Sequence, residues 1–414
     1  MDRRTQALSS SLSFIAEVST EKAARDAANA AQEAIQAYGV DASARVDVYA
    51  SVAAFSKTAE AAALTGEHKR LLEHTMRDYI RDGMALNDAD REKLVEIKKR
   101  MSSIAINFHK NVAEEDTKFV FTRAQLKGLS EAQLGNLKKA TAEDEAVAIN
   151  TKDSKATEAS PETAAEDKFV VTLKTPDYIP VMEYCSVIAT RAALEKAYNS
   201  RCIAANTPII EELVSLRAKQ AKLLGFENHA AYILDVRMAK TPAAVGTFLT
   251  SLNTKLGPLY AKEQAALLAL KQEEVQKGLS AAEDDVKANF AAADVSKLNP
   301  FDRAYYSRIY EEREFNVDHE KLKEFFPLEH VTQAMFGIYE RIFSIKIVKS
   351  SAPTWHESVS FYKVFEAAAD APAGEQGKEL GQFYMDLHPR QGKYSHAAVF
   401  TLLCPCELAD GYVS

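Results

Sequence analysis

The sequence has 414 residues, a net charge of −8 and 27% charged residues, a composition typical of a soluble folded chain of two or three domains. Its acidic balance argues against nucleic-acid binding, because no basic run is longer than Lys98, Lys99 and Arg100. Four cysteines without a CxxC pair predict a cytoplasmic protein without disulfides. No apolar run reaches ~20 residues, so we expect no membrane span and no secretory signal.

Most of the chain is predicted to be helical. The clearest apolar stripe lies within residues 90–112. Its members recur at three-and-four spacing: Leu94, Ile97, Met101, Ile104, Phe108 and Val112. This stripe predicts a helix with one buried face.

Two further helices are predicted from their end signals. One begins with Thr207 as its cap and Pro208 in the first helical position, and ends at Gly225. The other begins at Thr241 and Pro242, and Pro258 is expected to kink or divide it.

Two short strands interrupt the helices. Residues 117–122 and 168–174 alternate in polarity and predict a small antiparallel ribbon. Between them, residues from about 143 to 167 contain few large apolar side chains. Burial cannot offset the entropy of ordering such a segment, so we expect a mobile surface insertion.

The pattern changes near residue 355. Three strand candidates follow, at 355–366, 381–389 and 393–404. We therefore predict a mainly α chain with the antiparallel ribbon and an incomplete C-terminal β-sheet, an α+β arrangement. Residues 1–354 would form the helical region and residues 355–414 the first strands of a second domain.

Zinc-peptidase chemistry on a helix requires the pattern HExxH, which places two histidines and a general base on one face. The sequence has two His-Glu pairs, and neither has a second histidine three residues later: His319-Glu320 and His356-Glu357. The inverted order HxxEH also fails, at His68, His74 and His330. We expect all of these histidines to have surface roles.

Other catalytic patterns are weak. His388, His396, Cys404 and Cys406 could form a soft-metal site. However, two cysteines that flank Pro405 give a poor ligand geometry for zinc. The remaining cysteines, Cys185 and Cys202, have no identifiable partner base and are expected to pack inertly. Phosphate-loop, dinucleotide and GxSxG patterns are absent from the sequence. No catalytic residue and no metal ligand is assigned.

Residues 383–400, FYMDLHPRQGKYSHAAVF, resemble the strand pair that precedes the zinc helix in the thimet oligopeptidase, neurolysin and saccharolysin family of metallopeptidases. The likeness extends to stretches that follow the family's order and spacing: 103–129, 198–241, 305–343 and 355–366. It covers the chain from about residue 15 onward, interrupted by the segment 143–167.

This resemblance implies a largely helical ellipsoid with a deep channel that admits short peptides and excludes folded proteins. In the family, one zinc ion is held by the two histidines of HExxH and a downstream glutamate. We therefore expect a monomeric zinc metalloendopeptidase of short peptides, for which this chain supplies the helical channel wall. We also expect that the chain is truncated before the HExxH, lacks the first part of the N-terminal domain, and is inactive alone.

The resemblance also suggests residues near the substrate cleft. The candidates match the family's strand motif: Tyr384, Asp386, Arg390, Lys393, Tyr394 and His396. Their charged members could equally pair with one another or with absent helices. His388 and Ser395 stand where the family has a tyrosine and a glycine, which changes the turn between them.

Two other functions stay open from the sequence. The chain could be a non-catalytic peptide-binding or regulatory isoform, or it could use an unrelated site built on the histidines and cysteines after residue 387.

Overall fold

The structure is a computed structural model that describes residues 3–149, 167–280, 290, 294–367, 377–390, 392–394, 397–403, 406–408 and 411–413. Over these residues the chain is mainly helical with small antiparallel sheets, which confirms the predicted fold class. No helix in the described ranges combines the length and apolar character that a membrane span needs.

The α-helices are α1 (Arg3–Val18), α2 (Lys22–Ser43), α3 (Val46–Phe55), α4 (Ala59–Ala63), α5 (Gly66–Tyr79), α6 (Asp88–Ala113), α7 (Glu131–Asn136), α8 (Ala142–Val147), α9 (Thr175–Tyr184), α10 (Ile188–Ser200), α11 (Ile203–Leu223), α12 (His229–Leu234), α13 (Pro242–Leu279), α14 (Pro300–Phe315), α15 (His319–Glu324) and α16 (Leu328–Phe343). A π-helical turn spans Ile80–Met84 and a 3-10 turn spans Ala124–Leu126.

The strands are β1 (Lys118–Thr122), β2 (Lys138–Lys139), β3 (Lys168–Thr172), β4 (Ile345–Ser350), β5 (Ser360–Glu366), β6 (Glu379–Met385), β7 (Cys406–Leu408) and β8 (Gly411–Val413). They form a sheet of order β1-β3-β2, a sheet of order β4-β5-β6 and a β7-β8 hairpin.

The chain divides into two compact units that alternate along the sequence. The first contains residues 1–114, 202–257 and 399–403, and the second contains residues 115–201, 258–398 and 404–414. The predicted boundary between residues 354 and 355 rests on a change in sequence composition and not on contacts between residues. It therefore stays a prediction.

Helix α6 is the centre of the first unit and confirms the predicted stripe. Leu94 and Ile104 are almost fully buried, and α6 packs against both α2 and α11. Ion pairs join these helices at their rims. Lys99 Nζ lies 2.6 Å from Asp41 Oδ1. Arg100 donates hydrogen bonds to both carboxylate oxygens of Glu212 at 2.6 and 2.7 Å.

Helix α11 begins earlier than its end signals predict. It starts at Ile203 rather than after Thr207, so Pro208 lies inside the helix. A contact distant in sequence accounts for this: the buried Asn206 side chain accepts a hydrogen bond from Asn111 Nδ2 at 2.8 Å. The predicted end is correct, because Gly225 has a φ of 79°, which glycine adopts without strain.

Helix α13 begins where the sequence predicts. The Thr241 hydroxyl oxygen accepts a hydrogen bond from the Ala244 amide at 3.2 Å, as a helix cap does. Pro258 does not divide the helix, which continues to Leu279. A proline removes one backbone hydrogen bond, and here that loss does not end the helix.

The predicted ribbon is confirmed in the second unit. Strands β1 and β3 pair antiparallel, with Phe119 opposite Val171 and Phe121 opposite Phe169. All four side chains are buried in the largest apolar cluster of the described residues, so this ribbon is a core element of the unit.

The predicted mobile insertion is wrong over its first residues. Helix α8 covers Ala142–Val147, and Ala148 is fully buried against Val120 and Val170. Asp144 stabilises this helix by accepting hydrogen bonds from Lys138 Nζ at 2.7 and 2.9 Å. Residues 150–166 of the predicted insertion lie outside the described residues.

The second sheet differs from its prediction at both ends. Strand β5 falls within the predicted strand 355–366, and β6 overlaps the predicted strand 381–389 but begins two residues earlier. Strand β4 was not predicted and pairs with β5 along its whole length. The third predicted strand is wrong for residues 397–403, which have no strand conformation.

A buried carboxylate joins three helices of the second unit. Asp302 at the start of α14 lies 2.7 Å from Lys271 Nζ of α13 and 3.4 Å from Arg191 Nη2 of α10. The three side chains are at most 1% exposed. The backbone amide of Asn299 also donates to Asp302 at 3.0 Å. Asp302 therefore partly neutralises two buried cations.

We predict that Asp302→Asn strongly destabilises the protein. The amide keeps the shape of the side chain but leaves Arg191 and Lys271 buried without a carboxylate, which costs roughly 3–5 kcal/mol. Urea unfolding followed by far-ultraviolet circular dichroism measures the change.

Glu314→Gln is the matched control, since Glu314 lies on the same helix and is exposed. It should change the free energy of unfolding by less than about 0.5 kcal/mol. Equal effects of the two substitutions would show that the buried charges are not what holds these helices together.

Candidate functional site at the end of strand β6

The candidate residues lie where strand β6 ends and the chain turns. Tyr384 is opposite Phe361 of β5, and its ring packs 4.9 Å from that of Trp355. Asp386 follows the strand directly. The turn closes at Gly392, whose φ of 80° favours glycine, and the Lys393 amide donates to the Arg390 carbonyl at 3.3 Å.

Asp386 is the centre of this site. Its Oδ1 accepts hydrogen bonds from Arg390 Nη1 at 2.7 Å and Lys393 Nζ at 2.9 Å. Its Oδ2 accepts from Arg390 Nη2 at 2.7 Å and Trp355 Nε1 at 2.9 Å. We call these four side chains the Asp386 cluster.

Lys393 also fixes the backbone of the turn. Its Nζ donates to the carbonyl oxygens of Asp386 at 2.8 Å and His388 at 2.9 Å. Because the side chains of Asp386, Arg390 and Lys393 are only 7–10% exposed, their contacts are little weakened by solvent. The cluster holds one negative and two positive charges.

Burial by itself raises the pKa of Asp386, because it disfavours the charged carboxylate. The hydrogen bonds from Arg390, Trp355 and Lys393 outweigh burial and hold the pKa of Asp386 far below its ordinary value. The carboxylate is therefore ionised at neutral pH and is a poor proton acceptor. Its contacts make it a structural anchor rather than a general base.

The structure thus brings together four of the six predicted cleft residues: Tyr384, Asp386, Arg390 and Lys393. Tyr394 lies beside them, with its ring centre 5.7 Å from Lys393 Nζ, and His396 lies outside the described residues. The charged members pair with one another, which is the alternative that the sequence left open. Their place near a substrate cleft stays a prediction.

Trp355 is the member of the cluster that the sequence did not single out. It stands in a recognised family stretch, but its role depends on a hydrogen bond to a residue far along the chain. Two signals in the sequence could have identified it. Trp355 is the only tryptophan of the sequence, and it lies just before β5.

The near-miss histidines have local partners. His319 Nε2 lies 3.0 Å from Glu311 Oε2, and His356 Nδ1 lies 2.8 Å from the Ser358 hydroxyl. Among the residues that the structure describes, no three His, Cys, Asp or Glu side chains are grouped as metal ligands. The donor set therefore does not fit a zinc ion there.

The cysteines differ in how far the structure describes them. Cys185 is buried, and burial raises the pKa of its thiol to about 11, so the nucleophilic thiolate is scarce at neutral pH. This agrees with inert packing. The soft-metal alternative falls mostly outside the described residues, since it requires His396 and Cys404.

Comparison with known proteins identifies the family. Residues 181–413 match the model of peptidase family M3. The chain therefore belongs to peptidase family M3, a family of zinc metallopeptidases, as the resemblance implied.

Three proteins similar to this chain are named as oligopeptidases or as saccharolysin. The chain is 32% identical to a thimet-like oligopeptidase of Dictyostelium discoideum, over 99% of this chain and 56% of that protein. It is 32% identical to saccharolysin of Saccharomyces cerevisiae, over 94% of this chain and 51% of the yeast protein. Oligopeptidase A of Salmonella typhimurium is 28% identical over 84% of this chain and 46% of that protein. The chain spans about half the length of the curated relatives it matches.

We predict that Asp386→Asn destabilises the protein at pH 7 by roughly 3 kcal/mol, because it leaves two nearly buried cations without their carboxylate. The folded pKa of Asp386 is depressed and the unfolded pKa is about 3.9. The carboxylate therefore stabilises the fold above the unfolded pKa, and this contribution is lost as the pH falls through the folded pKa. The difference between wild type and variant should be constant from about pH 7 to 5 and shrink below about pH 4.

Urea unfolding at each pH, followed by Trp355 fluorescence, measures this difference. Glu357→Gln is the matched control, an exposed carboxylate two residues from Trp355. A difference that already falls between pH 7 and 5 would contradict the depressed pKa, and equal effects of the two variants would contradict the anchor role of Asp386.

Proposed function

We propose that this chain contributes the peptide-binding strands and the helical wall of a cytoplasmic, monomeric zinc metalloendopeptidase that hydrolyses short peptides. Membership of peptidase family M3 supports peptides as the substrates. The observation that carries the proposal is strand β6, an edge strand that ends at the Asp386 cluster.

Strand β6 offers a free edge for an extended peptide. Among the described strands it pairs with β5 alone, so one side of its backbone has no described strand beside it. Leu380 and Gln382 on this strand are exposed. An edge of this kind can take a peptide as an additional strand, in which main-chain hydrogen bonds provide affinity and side-chain pockets provide selectivity.

The Asp386 cluster supports this role by holding the end of the edge in place. Four hydrogen bonds converge on Asp386, and Lys393 ties the carbonyls of the following turn to the same point. A strand end fixed in this way loses little conformational entropy when a peptide binds, which favours affinity. Tyr384 and Trp355 provide an aromatic surface beside it.

Hydrolysis requires more than this edge. In the family's chemistry a zinc ion lowers the pKa of bound water to about 7, and a carboxylate transfers the proton. The described donor groups do not form such a site, and HExxH does not occur in the sequence. We therefore propose that peptide binding belongs to this chain and that bond cleavage requires the family's zinc helix in addition.

A second candidate function follows from the same edge. A chain that binds peptides without cleaving them would act as a peptide-binding or regulatory module. The two candidates share the binding step and differ in whether cleavage appears once the zinc helix is supplied.

We predict that an extended peptide of about eight residues binds to the edge of β6. Titration followed by the fluorescence of Trp355 should saturate with a dissociation constant in the micromolar range or weaker, about −8 kcal/mol at most. The matched control is the same peptide with alternate backbone nitrogens methylated, which removes its donors and keeps its side chains. Equal affinity of both peptides would rule out strand addition.

We predict no zinc-dependent cleavage by the 414-residue chain. Quenched fluorescent peptides with added zinc should stay intact, and mass spectrometry after dialysis should find no stoichiometric zinc. The chain joined to the HExxH-containing segment of saccharolysin should cleave the same peptides, and chelator should stop it. Chelator-sensitive cleavage by the purified chain alone, or one zinc per chain lost on His396→Ala or Cys404→Ala, would contradict the prediction.

A further inference from the structure

One methionine of the first unit is almost completely exposed to solvent. Met238 lies in the loop between α12 and α13 and is 99% exposed. Methionine is among the residue types that are most often buried, so an exposure this complete is unusual. It leaves the thioether sulfur open to small molecules in solution.

The other methionines that the structure describes are shielded to different degrees. Met335 is 37% exposed, and Met84 and Met182 are 5% and 3% exposed. Three more are partly buried: Met76, Met101 and Met385. Met1 lies outside the described residues. The fold therefore ranks the described thioethers by accessibility, with Met238 first.

Arg81 anchors the start of the loop that carries Met238. Its Nη1 donates a hydrogen bond to Asp235 Oδ2 at 2.7 Å, and its Nη2 donates to the Tyr232 carbonyl at 2.6 Å. The guanidinium carbon also lies 4.3 Å from the centre of the Tyr232 ring. These contacts fix the end of α12, from which the loop departs.

Backbone hydrogen bonds continue through the loop itself. The Arg237 amide donates to the Leu234 carbonyl at 2.9 Å, and the Lys240 amide donates to the Arg237 carbonyl at 3.2 Å. The second of these bonds closes a turn whose two central residues are Met238 and Ala239. The position of Met238 at the tip of this turn accounts for the exposure of its side chain.

Peroxides oxidise a thioether by direct oxygen transfer. The sulfur attacks one oxygen of hydrogen peroxide and the O–O bond breaks. The sulfur loses two electrons and becomes a sulfoxide, and the peroxide is reduced to water. Because the peroxide must reach the sulfur, the rate follows exposure, and the product is a polar side chain. At a side chain that is already in water, this change removes no apolar packing.

We propose that Met238 is a reversible oxidation site: peroxides convert it to the sulfoxide before the other described methionines, the fold stays intact, and methionine sulfoxide reductases restore it. In the reduction a dithiol supplies two electrons, the sulfoxide oxygen leaves as water and the dithiol becomes a disulfide. Such a site takes up oxidant at a position where oxidation does not weaken the core. The proposal depends neither on the family nor on the proposed peptide binding.

The test treats the native 414-residue chain with hydrogen peroxide, stops the reaction with catalase at successive times and maps the added oxygen by mass spectrometry of peptides. Met238 should react about two- to threefold faster than Met335 and roughly twentyfold faster than Met84 or Met182, in line with their exposed fractions. The chain with a single oxygen at Met238 should keep its circular dichroism spectrum and its unfolding midpoint. Reductases of both epimer specificities, supplied with a dithiol, should remove that oxygen.

Two leucine variants separate the sites. Met238→Leu removes the thioether and keeps an apolar side chain of similar volume, so it should abolish the fastest of these reactions and leave the rate at Met335 unchanged. Met335→Leu is the matched control and should leave the rate at Met238 unchanged. In concentrated urea the methionines of the wild-type chain should react at about equal rates, because the fold no longer shields any of them.

Three results would overturn the proposal. Equal rates at Met238 and Met335 in the native chain would show that the loop does not present Met238 to peroxide. A lowered unfolding midpoint of the singly oxidised chain would show that the Met238 side chain has a packing role. A sulfoxide that both reductases leave in place would show that the oxidation is not reversible.

Discussion

The second unit depends on one buried carboxylate. Asp302 contacts Lys271 and Arg191, and the three residues belong to three different helices. Charges so fully buried are tolerated only when they are paired and hydrogen-bonded. The position of α14 relative to α10 and α13 is therefore constrained by charge neutralisation as well as by apolar packing. Within this frame the aromatic residues Tyr305 and Tyr306 become buried.

The Asp386 cluster uses the same chemistry on a local scale. Arg390 and Lys393 lie four and seven residues after Asp386, so a single tight turn brings them together. A local cluster of this kind can be recognised in sequence, because its members are close in the chain and its glycine marks the turn. The contacts of Asp302 could not be recognised in this way, since Lys271 and Arg191 are far from it in sequence.

The same distinction explains which elements the sequence predicted. The stripe of α6, the Thr241 start of α13 and the pairing of β1 with β3 follow from periodicity and end signals, which are local. The early start of α11 depends on the distant contact of Asn206 with Asn111. Strand β4 is defined by its pairing with β5, and residues 397–403 have no strand conformation. At the site, the sequence supplied the charged residues, while Trp355 required the folded structure.

The geometry of the cluster constrains how a peptide could be recognised at this edge. Arg390 and Lys393 are nearly buried and are engaged by Asp386 and backbone carbonyls, so they are poorly placed to select acidic side chains of a ligand. If a peptide adds to β6, its main chain is the part that the strand can bind directly, and Tyr384 with Trp355 can contact side chains by apolar packing. Recognition of the main chain depends little on peptide sequence. A buried, self-satisfied charge cluster beside an edge strand would therefore give a rigid binding edge that accepts many short peptides.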